Sequence, residues 1–147
     1  PRIPDDAFEG VCPFHGDCWE GLCSGPAMKK RTGTPAEEIS PDSSAWRFEA
    51  RYVALALGNI ICALSPRRII LGGSVPNGGL LGIERFFKMV RAEVRDVLDG
   101  YIVSPALEEG IDGYIVPPLL GADAGVCGAL ALALDMLHFS DEVTKAP

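Results

Sequence analysis

The sequence predicts an α/β fold, and three features carry that prediction. Two short runs of branched apolar residues, in RIILGGSV (68–75) and GYIVPP (113–118), end in glycine or proline pairs, as buried strands do. Long helical patterns lie before, between and after them, at about 45–64, 80–98 and 123–137. The order is therefore helix, strand, helix, strand, helix, which calls for helices packed on a sheet. Two strands are few for a free-standing domain of 147 residues, and the chain opens on Pro1 instead of a methionine. Both point to part of a larger fold.

Residues 1–17 hold three prolines and two glycines and read as loop. A helix is expected from near Cys18 towards Arg31, bent or broken at Gly25-Pro26. In TGTPAEE (32–38), Thr34 is placed to cap a helix with Pro35 at its first position and Glu37 at its third. Ser43 or Ser44 caps the next helix, which Pro66 stops. Its apolar residues, among them Phe48, Tyr52, Leu55, Ile60 and Leu64, are too many for one stripe, so it is expected to be buried on more than one side. The helix at 80–98 has a polar face of Glu84, Arg85, Lys88, Arg91, Glu93, Arg95 and Asp96. The tail FSDEVTKAP is expected to fray, with His138 just before it on the surface.

The chain is 48% hydrophobic and 22% charged, a globular composition with room for a core. A net charge of −7 repels a phosphate backbone, so nucleic acid is not an expected partner. No apolar run reaches the ~18 residues of a membrane span. The most apolar stretch, 124–134, lies between Asp123 and Asp135 and reads as an ordinary helix, so no membrane partner is expected. Of five cysteines, Cys62 and Cys127 sit in apolar helical patterns and read as buried free thiols, which suggests a reducing, cytoplasmic setting.

The other three cysteines lie near one histidine. In CPFHGDCWEG (12–21), two residues separate Cys12 from His15 and two separate His15 from Cys18. Thiolate and imidazole are the ligands zinc prefers, and Pro13 and Gly16 suit the turns that bring them to one ion. Redox chemistry favours Cys-x-x-Cys, which is not the pattern here. A closed structural site takes four ligands. Cys23 is the local candidate, yet five residues along a helix turn it ~140° from Cys18. The other option lies upstream of Pro1.

The segment CPFHGDCWEGLCSGPAMKKR (12–31) resembles the zinc loop of the ROK family of bacterial sugar kinases and sugar-responsive repressors, in the form found in its fructokinase branch. IILGGSV (69–75) resembles the Ile-Leu-Gly-Gly-Gly-Val under the family's nucleotide, and YIVPPLLGADAGVCGALALA (114–133) its closing strand and helix. Ser74, Asp123 and Cys23 depart from the usual glycine, asparagine and alanine. The resemblance implies an actin-like, ribonuclease-H-like ATPase fold, with this chain as the C-terminal lobe of a two-lobed kinase. Residues 1–31 would form the zinc loop and following helix, and 32–147 the α/β lobe.

The resemblance also implies roles. Cys12, His15 and Cys18 match three ligands of a structural Zn²⁺, the fourth being a histidine upstream. Glu20 matches a sugar-binding glutamate. As a helix-N-terminal acid it also suits the dipole. Gly25, Pro26, Gly72, Gly73 and Ser74 match positions around ATP or ADP. Lys29-Lys30-Arg31 reads more simply as a solvated helix end. The Asp-x-Gly-Gly-Thr phosphate loop, the catalytic Asp after Asn and the Mg²⁺-handling parts of ROK kinases do not occur in these residues, so no catalytic residue is assigned to them. The implied activity is transfer of the ATP γ-phosphate to fructose O6, in a protein that includes the missing N-terminal lobe and forms a homodimer. A fragment of a ROK-type repressor and a non-enzymatic zinc-stabilised module are the alternatives.

Overall fold

The computed structural model describes the backbone of residues 2–4 and 6–144 and the side chains as far as Met136. The chain divides into two compact units, 1–116 and 117–147. The first contains helices α1 (Trp19–Leu22), α2 (Gly25–Thr32), α3 (Ala45–Leu64), α4 (Ile83–Leu98) and α5 (Ile111–Tyr114) and strands β1 (Ile69–Ile70) and β2 (Ile115–Val116). The second contains α6 (Ala124–Thr144), entered through a 3₁₀ turn at Gly121–Asp123.

The core of the first unit is the α3–α4 pair. On α4, Phe86, Val90, Val94 and Leu98 recur every four residues, and all are buried. That spacing aligns them along one face of a helix, the amphipathic pattern expected from the sequence. They meet Trp46, Ala50, Val53, Leu57 and Ile61 of α3. Trp46 stacks edge-on to Phe86 at 5.9 Å between ring centres, and its indole N–H donates to the Ser40 carbonyl at 3.2 Å. At Gly58 a Cβ would lie 2.9 Å from Val97 Cγ1, so the absent side chain lets the helices approach. Leu107, Ile111, Tyr114 and Ile115 complete the core, leaving β1 and β2 as a parallel pair, Ile69 opposite Ile115 and Ile70 opposite Val116.

Expected helix α3 has the bounds the sequence indicates. Its start is capped locally: Ser43 Oγ accepts from the Ala45 N–H at 3.3 Å, whereas Ser44 makes no side-chain cap. It is buried on more than one side, yet Leu64 remains 74% exposed at its end. The helix expected from Cys18 breaks at Cys23–Ser24 into α1 and α2. Ser24 Oγ caps α2 by accepting from the Ala27 N–H, with Pro26 in the first turn where its missing N–H costs nothing.

Other expectations are corrected. The expected helix after Thr34 is a single 3₁₀ turn, Ala36–Glu38, with Pro35 and not Thr34 at its N-cap and no side-chain cap; the Thr34 N–H donates to the Thr32 hydroxyl instead. Gly113 and Tyr114 end the short helix α5 instead of opening the strand. Cys62 and Cys127 are exposed: Cys62 lies on an uncovered side of α3, and the described side chains of α6 on either side of Cys127 are exposed as well. The backbone of α6 continues to Thr144, past the expected end near Leu137. The side chain of His138 lies outside those described. Among the described residues, no helix is long and apolar enough to cross a membrane.

Candidate functional site

Residues 10–21 form a tight knot that brings the three proposed ligands together. Cys12 and Gly16 exchange backbone hydrogen bonds, at 3.1 Å from the Cys12 N–H and 2.9 Å from the Gly16 N–H. The Val11 N–H donates to the Gly21 carbonyl at 2.9 Å and closes the base of the loop. Glycine is required at Gly10, where φ is +88° and a Cβ would sit 2.2 Å from the Gly16 oxygen. It is equally required at Gly21, where a Cβ would sit 2.0 Å from that same oxygen. The Gly16 turn was legible as a turn. The need for Gly21 was not, since it arises from a contact across the loop.

The ligand atoms of Cys12, His15 and Cys18 all lie within 4.8 Å of one another, and Cys12 Sγ is 3.8 Å from His15 Nδ1. Backbone N–H groups of His15 and Phe14 point at the Cys12 sulfur and pull its pKa down to about 7. A thiolate is the form a metal takes. Two thiol sulfurs and one imidazole at this spread fit a tetrahedral zinc donor set, three-quarters complete. Glu20 stands exposed in the first turn of α1, two residues beyond Cys18 and beside the half-exposed Trp19.

Cys23 is not part of this cluster. It is packed against Glu49, a carboxyl on α3 that is only 3% exposed. Burial, and then the nearby Glu49 charge, push the Cys23 thiol far above its ordinary range. Its sulfur lies outside the group formed by the Cys12, His15 and Cys18 ligand atoms. Burial likewise pushes Glu49 up to about 8, against the pull of Arg31 and a hydrogen bond with Cys23.

The basic run also differs from its simple reading. Arg31 is not solvated. It grips both oxygens of Asp6, at 2.8 and 3.0 Å, and lies between the rings of Phe8 and Phe48, 4.2 and 4.8 Å from their centres. The Tyr52 hydroxyl donates to the same carboxylate at 2.6 Å. These donors, Arg31 first, hold Asp6 down at about 2. The segment leading into the knot is thus fastened to α2 and α3 by one buried carboxylate. Asp6 and Arg31 lie 25 residues apart, and nothing in their spacing announces the pairing.

A groove of about 730 Å³ opens on the other side of α2. Gly25, Pro26 and Ser74 line it together, with Lys29, Glu37 and Asn77 as polar wall residues, the last two of which carried no signal for this role in the sequence. Gly72 and Gly73 are exposed in the turn just before Ser74, but they do not line the groove. Gly73 has φ of +117°, a conformation that suits glycine. The chain therefore presents a knot with a Cys₂His donor set and, along α2, an open groove lined by Gly25, Pro26 and Ser74.

The sequence profile of the ROK family matches residues 2–136. The chain belongs to the ROK family. Among the relatives of this ROK chain, a putative fructokinase of Bacillus subtilis (strain 168) is 42% identical over 137 residues, covering 93% of this chain and 44% of that protein. The fructokinase of Pediococcus pentosaceus is 40% identical over 132 residues, covering 90% and 43%. That of Zymomonas mobilis subsp. mobilis is 38% identical over 136 residues, covering 90% and 42%. The ROK chain thus spans less than half the length of the curated relatives it matches. Family membership implies an actin-like ATPase fold, and the mixture of helices with two short parallel strands is the portion of it seen here.

Proposed function

We propose that this chain is the C-terminal lobe of a two-lobed, actin-like fructokinase that transfers the ATP γ-phosphate to fructose O6. The observation that carries this reading is a match to fructokinases along nine-tenths of the chain, running through both the knot and the groove. In this reading residues 1–31 are a zinc loop with its supporting helix and residues 32–147 the α/β lobe.

Cys12, His15 and Cys18 would hold a structural Zn²⁺, whose contribution is to cross-link the loop. The fourth ligand is assigned to the preceding lobe, since Cys23 does not join the cluster of the other three. Glu20, on the helix that leaves the knot, accepts hydrogen bonds from sugar hydroxyls. An ionised carboxylate has two oxygens and accepts from two neighbouring hydroxyls at once. Its position two residues from a ligand makes the loop's rigidity a condition for sugar binding.

Gly25, Pro26, Gly72, Gly73 and Ser74 form one wall for ATP or ADP. Bare backbone at a glycine turn admits close approach of a phosphate or ribose. Mg²⁺, the phosphate cradle and the catalytic base belong to the preceding lobe, so this chain's own work is binding and orientation. The whole protein acts as a homodimer in the cytoplasm. The test is to identify the product after incubating the whole protein with ATP and, separately, fructose, mannose and glucose. Phosphate on O6 of fructose, formed faster than the other two esters, is expected. Preference for another hexose, or attachment at a different oxygen, would overturn the fructose O6 assignment.

A further inference from the structure

The polar face of α4 is sorted by charge. Its two C-terminal acids, Glu93 and Asp96, are both taken by Arg51 of α3, the first at 2.9 Å. Its cations face the other way. Arg85, Lys88, Arg91 and Arg95 line a separate groove of about 600 Å³ between α4 and α5, with Ala92, Ile111 and only two carboxylates, Glu84 and Asp112.

Two of these cations form a fixed floor. Arg91 lies over the Phe87 ring, donates from Nε and Nη2 to the Ile115 carbonyl at 3.0 and 2.8 Å, and pairs with Asp112 at 3.0 Å. Arg95 donates from Nε to the Leu107 carbonyl at 3.1 Å and from Nη2 to the Glu108 carbonyl. The carbonyl partners of Arg95 orient its guanidinium without cancelling its charge, whereas the charge of Arg91 is offset by Asp112. The other two cations are available. Lys88 makes no ion pair among the described residues, and Arg85 reaches only the exposed Asp42, at 3.6 Å. Like charges three and four residues apart on a helix repel. Four cations against two carboxylates leave the lining of this concavity net positive on a chain of net charge −7.

From this arrangement we infer that the α4–α5 groove is an anion site for a phosphomonoester. Arg95 and Arg91 form its rigid floor, and Lys88 and Arg85 close on the phosphate oxygens. A phosphomonoester suits the groove because a compact dianion offers several acceptor oxygens to converging N–H donors. The site is distinct from the knot and from the groove beside Gly25 and shares no residue with them. It does not depend on the assignment of kinase activity.

The test is titration of the ¹⁵N-labelled protein with inorganic phosphate, followed through amide and arginine Nε shifts. Glucose 6-phosphate and AMP serve as parallel probes that distinguish a sugar carrier from a nucleoside one. Saturable shifts localised to residues 84–95 and 108–112 are expected. Lys88→Glu and Arg85→Glu should each weaken them about tenfold or more, with the amides of the α3–α4 core unmoved. Lys29→Ala, in the other groove, should leave them intact. Lys88→Gln gives a milder variant should a reversal disturb the fold. Shifts that never saturate, or that survive both charge reversals in a folded protein, would overturn the site.

Discussion

Glu49 illustrates how a single residue sets a pH dependence. Its carboxyl on α3 faces Cys23 beyond α1 and Arg31 on α2, and burial raises its pKa from 4.5 to about 8. A carboxyl raised in the fold is more easily kept neutral there than in the unfolded chain. Its contribution is therefore fully present below about pH 4.5 and is lost as pH rises through about 8. Glu49→Gln should flatten this slope, gaining on the order of 1–3 kcal/mol over the parent at pH 9 and little at pH 5. Denaturant melts of both proteins at the two pH values measure it, and equal slopes would show that Glu49 is not neutral in the fold. Asp6 behaves oppositely: held at about 2 by Arg31, its contribution is present above about pH 4 and lost as pH falls through 2. Arg31→Ala leaves that carboxylate without its main partner and should cost about 2 kcal/mol at neutral pH, read from the same melts. Neither group was legible in the sequence. Glu49 sits in a helical run where a glutamate ordinarily faces water, and Arg31 follows two exposed lysines.

At the scale of elements, the knot at 10–21 was the most legible part of the chain. Its proposed ligands are chemically distinctive and close in sequence, and the knot brings Cys12, His15 and Cys18 together as their spacing predicts. What spacing does not show is the packing that keeps them there. Gly21→Ala adds a methyl 2.0 Å from a backbone oxygen and should release the metal without touching a ligand. Gly33→Ala, at φ of +78° with nothing within 4 Å, should cost only ~1 kcal/mol of backbone strain and keep the metal. His15→Ala should lose zinc and stability together, because structural zinc binding is folding free energy. Glu20→Ala should keep zinc while raising KM for fructose about ten- to a hundredfold. Zinc analysis and kinetics on the four variants separate these outcomes, and zinc lost with Glu20 would make that residue a ligand or a support for one. The helices show the same contrast. The bounds of α3 followed from serine and proline signals, whereas Cys62 and Cys127 were misplaced. An apolar neighbourhood in sequence does not say which face of a helix another element covers.

At the scale of the molecule, the two strands were legible because branched residues end in glycine or proline pairs. Their pairing as a parallel β1–β2 ladder follows from the connection between them. The nucleotide-side groove was half legible: Gly25, Pro26 and Ser74 converge, while Asn77 and Glu37 enter it only because the chain folds back past Gly79, where a Cβ would sit 2.7 Å from Glu37 Cα. Knot and groove both read as binding parts, and the division of labour follows from that. Under the proposed function this lobe grips sugar and nucleotide, and the lobe preceding it supplies the chemistry. The most direct test is fructose-dependent ADP release, measured on these 147 residues and on the same chain joined to its upstream half. Activity in the joined protein with none in this chain is the predicted result. Activity in this chain alone would contradict it, because a catalytic base would then have to lie among residues assigned here to binding and structure.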